Sequence, residues 1–366
     1  MEKKKLLIIE QFNSFFRLIH LNLLEKQNLE VTSLKKVKNY NQLTEEGINF
    51  DKIILSLSPE NCTTITKTMH LRRENKEEKI DEGEMGKLIY KALWKFLDEN
   101  RGWASEKMNV KDSEMVLGNI NIVNASLDNH TIFNPLGFKG EKLTLTLRGS
   151  FISRNSLDFF DIFSNKKNKV EIIEGLSFSS SLTQNHSGVF HLRRDSSYSF
   201  WSKEREVTFR EFHPIGINDL IDSIANPLSV SRENAALIID RYLSGNLSKR
   251  FRDFISDRTA DFYAQIESFL KKFSKDLEGK VFLNMPKNLF DFTISKNSNF
   301  EYIDYINLLE KRGFNVILKE DKQEKEPEIF EDKSFTALLV KPIFNSHYTY
   351  MNKVLESKSK WLIPNK

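Results

Sequence analysis

A single cysteine, Cys62, stands in 366 residues. That excludes an internal disulfide and a cysteine-built metal cluster, and it fits a reducing, cytoplasmic setting. The thiol itself is expected to serve as a small buried hydrophobe. Glycine is scarce at 14 and proline at 8, so few positions can take positive φ or let a ligand approach the backbone closely. No apolar run reaches the roughly 18–20 residues of a membrane-spanning helix. "MEKKKLLIIE" opens with a basic cluster, but its apolar part is four residues long and ends in Glu10, too short for a secretory signal. An excess of one charge sign is also lacking. The 55 lysines and arginines meet 51 acids for a net +4, and the signs are interleaved, which excludes the footprint of a nucleic-acid binder. The seven histidines show no ligand spacing, so no metal site is expected. Neither G-x-S-x-G, H-E-x-x-H nor a P-loop occurs.

What the chain has in quantity is phenylalanine, 29 in all, enough for a sizeable core. "LLIIE" reads as a short buried strand, with "FFRLIHLNL" as its hairpin partner and "FDKIILSLS" as another strand. Residues 71–84 are densely charged and read as a solvated loop or a helix entry. Met85, Leu88, Ile89, Ala92, Leu93 and Phe96 recur at helical spacing, predicting an amphipathic helix over 86–97. A hairpin is expected to turn at Asp128-Asn129. In "EKLTLTLRG" Leu143, Leu145 and Leu147 alternate with Thr144 and Thr146, a half-buried strand. "KVEIIE", "KVFLNM" and "NVILKE" read as strands. Helices are expected over 217–228, over 232–244 with Ser231 as N-cap and Gly245 at the end, over 251–273, and over 299–313.

Residues 191–197, "HLRRDSS", set Arg193 and Arg194 between an apolar strand-like run and a hydroxyl pair, where a phosphate-binding turn would carry glycines. Three readings stand open for the pair: an anion site, an internal ion pair, or solvated charge. "HLRR" also occurs at 70–73 in unrelated surroundings, which reads as coincidence.

The order of elements is that of an α/β chain with an insertion. Two segments sharpen it. "NPLGFKGEKLTLTL" (134–147) resembles the stretch that closes the inserted subdomain of FtsA-type bacterial cell-division proteins of the actin superfamily. "HPIGINDLIDSIANPLSVSRENAALIIDRY" (213–242) resembles the same family's two-helix stretch after its second phosphate loop. The resemblance covers most of residues 5–344. It implies an α/β, actin-like (ribonuclease H-like) two-lobed fold with an inserted FtsA-type subdomain. By that resemblance 1–50 and 148–180 form the first lobe's core, completed by 334–344, and 51–147 form the insertion. Residues 181–215 and 280–330 form the second lobe's core, 216–279 a helical subdomain, and 345–366 a tail.

The family's nucleotide loops are where the chain departs. At the first loop stand Glu10, Gln11, Phe12, Asn13 and Ser14, with Phe12 in place of a glycine. At the second stand His191, Arg193, Arg194, Asp195, Ser196, Ser197 and Tyr198, without the family's glycines or acids at their places. The adenine-side glycine turn is replaced around Met285 and Pro286. Glycine loops bind phosphate because backbone N–H groups converge without a Cβ in the way, and the acids hold Mg²⁺ and orient water. Loss at all three loops reads as an actin-like scaffold without ATPase activity, needing no cofactor. An arginine of the second loop is expected to reach Glu10 and take over the role of the ligand.

What the resemblance implies is a cytoplasmic division scaffold. It would self-associate, bind other divisome proteins and recruit an FtsZ-type tubulin homologue through the region 215–273, where Arg241, Lys249, Arg250 and Arg252 could face an acidic peptide. Family members end in a membrane-targeting helix. Here Met351, Leu355, Trp361 and Leu362 with nearby lysines suggest weak contact with the inner face of the membrane at the division site; the other reading is a helix packed on the body. Two alternatives stand beside the scaffold: an actin-like ATPase with altered loops, using ATP and Mg²⁺ through Ser14, Ser196 and Ser197, and a PilM-like pilus-assembly adaptor.

Overall fold

The computed structural model describes residues 4–12, 15–24, 27–38, 50–156, 169–183, 187–203, 206–275, 279–293, 299–319, 335–341, 348–359 and 362. The chain divides into two compact units. One comprises Met1–Phe178, Gly313–Glu320 and Leu338–Lys366, the other Ser179–Arg312 and Asp321–Ala337.

The first unit is built on a six-stranded sheet in the order β15-β3-β2-β1-β4-β9. β1 (Lys4–Gln11), β2 (Phe16–Leu23) and β3 (Asn28–Val37) form an antiparallel meander, and β4 (Lys52–Leu57) and β9 (Lys169–Glu174) continue it in parallel from β1. Leu6 through Ile9 are all buried, as a central strand covered on both faces requires. β15 (Asn315–Leu318) adds parallel to β3 at Asn28–Val31. Two expected boundaries are thereby corrected. Residues 315–318 belong to the first unit's sheet rather than to the second lobe, and 52–57 belong there rather than to the insertion. Both follow from strand pairing, which the hydrophobic pattern of a single strand does not specify.

The same unit carries a four-stranded antiparallel sheet, β5-β8-β6-β7, formed by β5 (Cys62–Arg72), β6 (Met115–Leu127), β7 (His130–Thr131) and β8 (Lys142–Ser153). Asp128 and Asn129 take positive φ at the β6–β7 turn, as the sequence suggests. α1 (Glu82–Met108) packs on one face of this sheet, longer at both ends than the expected 86–97. Asp81 accepts the Glu84 N–H at 2.7 Å to start it, and Asn109 in the left-handed region ends it. Leu143, Leu145 and Leu147 point into that core at 0% exposure, in the alternation predicted. The opposite face is polar, with Thr66 and Thr68 of β5 set against Arg148 and Thr146 of β8.

α9 (Thr349–Ser359) joins the same core through Met351 and Leu355, both 0% exposed. The Asn352 side-chain amide accepts the Ile122 N–H at 2.7 Å and donates to Ile122 O at 3.1 Å. It thus occupies the outer edge of β6, where β7 pairs only with Ser126 and Leu127, and an open edge of that kind invites foreign strands.

The second unit holds a five-stranded sheet, β12-β11-β10-β13-β14. Its strands are β10 (Ser187–Leu192), β11 (Ser197–Lys203), β12 (Glu206–His213), β13 (Val281–Asn284) and β14 (Phe300–Tyr302). α2 (Gly175–Ser181) leads into it. α3 (Ile217–Leu228), α4 (Arg232–Leu243) and α5 (Lys249–Lys275) follow, then α6 (Lys287–Thr293) and α7 (Tyr305–Glu310); a short α8 (Phe335–Leu338) precedes the tail. α4 starts at Ser231, which accepts from Asn234 N–H, and Gly245 past its end has φ +75°. Ile255, Phe262, Ile266, Leu270 and Phe273 form the buried stripe of α5.

Candidate functional site

The first candidate loop joins β1 to β2. Asn13 and Ser14 lie outside the described residues, but the ends of the loop are clear. Phe12 N–H donates to Phe15 O at 2.9 Å, and the two rings stack 4.4 Å apart. Arg17 stands 4.8 Å from the Phe12 ring centre and 3.3 Å from Glu10. Glu10 and Arg17 are register partners across the hairpin, and both are buried. The carboxylate where the resemblance places a nucleotide-side acid is therefore met by an arginine of its own hairpin. An aromatic pair closes the turn where backbone N–H groups would need glycine to converge on phosphate. Arg17 carries no motif signal; its role is legible only from the hairpin register.

The second candidate loop is the turn Arg193–Ser196 between β10 and β11, closed by Arg193 N–H to Ser196 O at 3.0 Å. The first amides of α3 donate to it, Ile217 N–H to Arg193 O at 2.9 Å and Asn218 N–H to Arg194 O at 2.8 Å. A helix N-terminus is a ready anion site when such amides are open; here they end on carbonyls. The Asn218 side chain adds a bond to Asp195 Oδ1 at 2.6 Å. Gly216 is obligatory at this junction, because a Cβ there would stand 2.4 Å from Arg194 O and 2.6 Å from Ser196 N.

The hydroxyls of the loop are engaged internally as well. Ser197 Oγ donates to Ile215 O at 2.6 Å, and Ser196 Oγ donates to the Tyr198 hydroxyl at 3.2 Å. His191 is fully buried, with Asn284 Nδ2 donating to Nδ1 at 3.0 Å and Ser180 Oγ 3.1 Å from Nε2. With Asn284 as donor, Nδ1 accepts and Nε2 faces the Ser180 hydroxyl. Arg193 is buried and Arg194 half-buried, so solvated charge does not describe Arg193. Met285 belongs to the core and Pro286 is buried where β13 turns into α6, at the place where the resemblance implies the adenine-side turn.

One further polar group belongs here that no motif announces. His213 at the end of β12 is buried, its Nε2 2.7 Å from Ser199 Oγ, with the Phe269 ring 4.6 Å away. Burial lowers its pKa below the ordinary histidine value.

The remaining candidates separate. Arg241, Lys249, Arg250 and Arg252 are all exposed, and Arg252 also donates to Gly245 O and Leu247 O, which holds the α4–α5 connection. Of the two readings of the tail, the helix packed on the body is the one its described residues follow. Met351 and Leu355 are engaged in the core, and Leu362 packs against the same cluster; Trp361 lies outside the described residues. Among the described residues no helix is long and apolar enough to cross a membrane.

No family model and no curated protein matches the sequence. Solved structures do. A PilM–PilN type IV pilus biogenesis complex aligns over 93% of this chain and 98% of that one, at 12% identity and a TM-score of 0.51. A Bacteroides thetaiotaomicron protein with an actin-like ATPase fold aligns over 92% and 96%, at 11% identity and 0.37. ParM with ADP from Bacillus thuringiensis aligns over 93% and 99%, at 10% identity and 0.35. With the sheets and turns described above, the chain has an actin-like fold.

Proposed function

We propose that the chain is a non-catalytic actin-like scaffold. One observation carries this reading: the groups that should receive a nucleotide phosphate at the second loop already have protein partners. The α3 amides end on Arg193 O and Arg194 O, and the Ser196 and Ser197 hydroxyls on Tyr198 and Ile215. Converging on phosphate would require breaking these buried bonds, each worth about 0.5–1.5 kcal/mol and costlier if left unsatisfied. A titration of fluorescent ATP with Mg²⁺ tests the reading. The expected result is no saturable binding; micromolar binding lost in Ser196→Ala, Ser197→Ala would return the chain to the ATPase alternative.

A scaffold works through surfaces, and the helical part of the second unit offers one. Leu237 is 50% exposed on α4 and shares a face with Arg241 one turn on. Lys249 and Arg250 stand exposed in the first turn of α5, which holds no acid. Cations at a helix N-terminus oppose its dipole, so helix stability does not account for them. This face suits an acidic peptide with an apolar anchor, such as the tail of an FtsZ-type division polymer, as the 134–147 and 213–242 resemblance implies. The second reading is a pilus-assembly adaptor with a PilN-like partner, favoured by the alignment to the PilM–PilN complex. Pull-downs with the two partner types separate them. Leu237→Asp with Arg241→Glu should abolish capture of the division polymer if the first is right.

A further inference from the structure

The first unit contains a cavity of 320 Å³ that the proposed scaffold role does not use. Its walls come from Lys52 of β4, Glu171 of β9, Asn119 and Asn121 of β6, and Lys353 and Glu356 of α9. Glu171 is buried and already doubly paired, to Lys341 Nζ at 2.8 Å and to Lys52 Nζ. Burial alone would raise its pKa; the two ammonium groups overcome that and hold it far below the usual carboxylate range.

The donors around it are in excess. Arg148 of β8 is the register partner of Asn121 and lies within electrostatic reach of Glu171 and Lys341. Its Nε donates to Thr66 Oγ1 at 3.1 Å. Neither of its Nη groups has a partner among the described residues, nor do the Lys353 ammonium and the side-chain amides of Asn119 and Asn121. Lys52 and Lys353 line the cavity with Glu171 and Glu356; Lys341 and Arg148 stand close to Glu171 outside that lining, so the surplus of positive charge comes from behind the wall.

We propose that this cavity binds a small multivalent oxyanion, held by Lys353 with the Asn119 and Asn121 amides, with Arg148 adding positive charge from behind the wall. Ammonium and amide N–H are donors that phosphates and carboxylates share as partners. The volume lies at the lower end of the roughly 300–1,000 Å³ of small-molecule sites. That admits an ion of pyrophosphate or tricarboxylate size and no polymer. Because Lys353 stands on α9, a bound ion would tie that helix to β6 and β8. The proposal does not depend on whether the nucleotide loops are retired.

Thermal stability of the full chain, with pyrophosphate or citrate added at constant ionic strength against chloride, tests it. The expected result is saturable stabilisation by one of the two, which identifies the ion as phosphate-like or carboxylate-like. Apparent affinity should fall about tenfold in Lys353→Gln and in Asn121→Ala, the loss of one charge-assisted or strong hydrogen bond. Lys91→Gln, on the exposed face of α1, should bind as the parent does. Lys353 is exposed, so its variant reads binding without unfolding the chain; Arg148→Gln is read only where it folds. Stabilisation by neither anion overturns the proposal, and so does binding that Lys353→Gln and Asn121→Ala leave unchanged.

Discussion

At the scale of single residues, Arg73 shows how a repeated tetrapeptide can mislead. "HLRR" at 70–73 reads as a chance copy of 191–194, yet its second arginine is an anchor. The Arg73 side chain is 0% exposed. It makes two bonds to Glu84 at 2.8 Å and reaches Gly140 O at 2.7 Å and Glu78 O at 2.9 Å. It thereby fixes the start of α1 and the 134–141 loop at once. Arg73→Lys keeps the charge but loses the planar fork, leaving carbonyls unsatisfied, and should cost about 2–4 kcal/mol in urea unfolding. Arg72→Ala, next to it and 83% exposed, should change stability by less than about 0.5 kcal/mol.

His213 supports a pH prediction at the same scale. Its folded pKa is lowered by burial, so the unfolded chain binds the proton more readily. Its contribution is complete above the unfolded value near 6.5 and is lost as pH falls through the folded value. Each unit of lowering corresponds to about 1.4 kcal/mol. Melting temperature should therefore drop between neutral pH and mildly acidic pH, and less in His213→Gln than in the parent. Equal slopes in the two proteins would assign the drop to other groups.

Among the elements, the period of the apolar residues made most helices and the 142–147 strand legible, because one buried face imposes it. It did not reveal β3 or β5. "NLEVTSLKKV" and "CTTITKTMHLR" carry threonines and lysines on their solvated or polar faces, and their strand character comes from pairing along β2 and β8. The tail shows the converse. Its apolar stripe, Met351 and Leu355, is legible in the sequence, but periodicity gives the stripe and not the surface that covers it. In the fold that surface is the core shared with α1 and β6. Leu355→Ala should then cost about 2–5 kcal/mol, as deletion of a buried Leu side chain does, measured by denaturant unfolding. A tail that only brushed the surface would show no loss.

For the whole molecule, the candidate site was legible as a set of departures from a motif, and its chemistry was not. Phe12 for glycine and His191 for an acid could be read from the sequence. That α3 caps the Arg193–Ser196 turn, or that Arg17 neutralises Glu10, required the register and the Gly216 contact. The consequence appears as ligand-dependent stability. A ligand at a hundred times its Kd adds about 2.7 kcal/mol, several degrees for a chain of this size by the usual scaling of about 2–4 °C per kcal/mol at 150–250 residues. Millimolar Mg·ATP should give no such rise through the two turns. The triphosphate is also an oxyanion, so the cavity beside α9 must be separated from them. A rise that vanishes in Lys353→Gln belongs to that cavity and leaves the scaffold reading intact. A rise that survives Lys353→Gln but disappears in Ser196→Ala, Ser197→Ala would mean that the capped turn opens to phosphate, and the chain would be a working nucleotide binder.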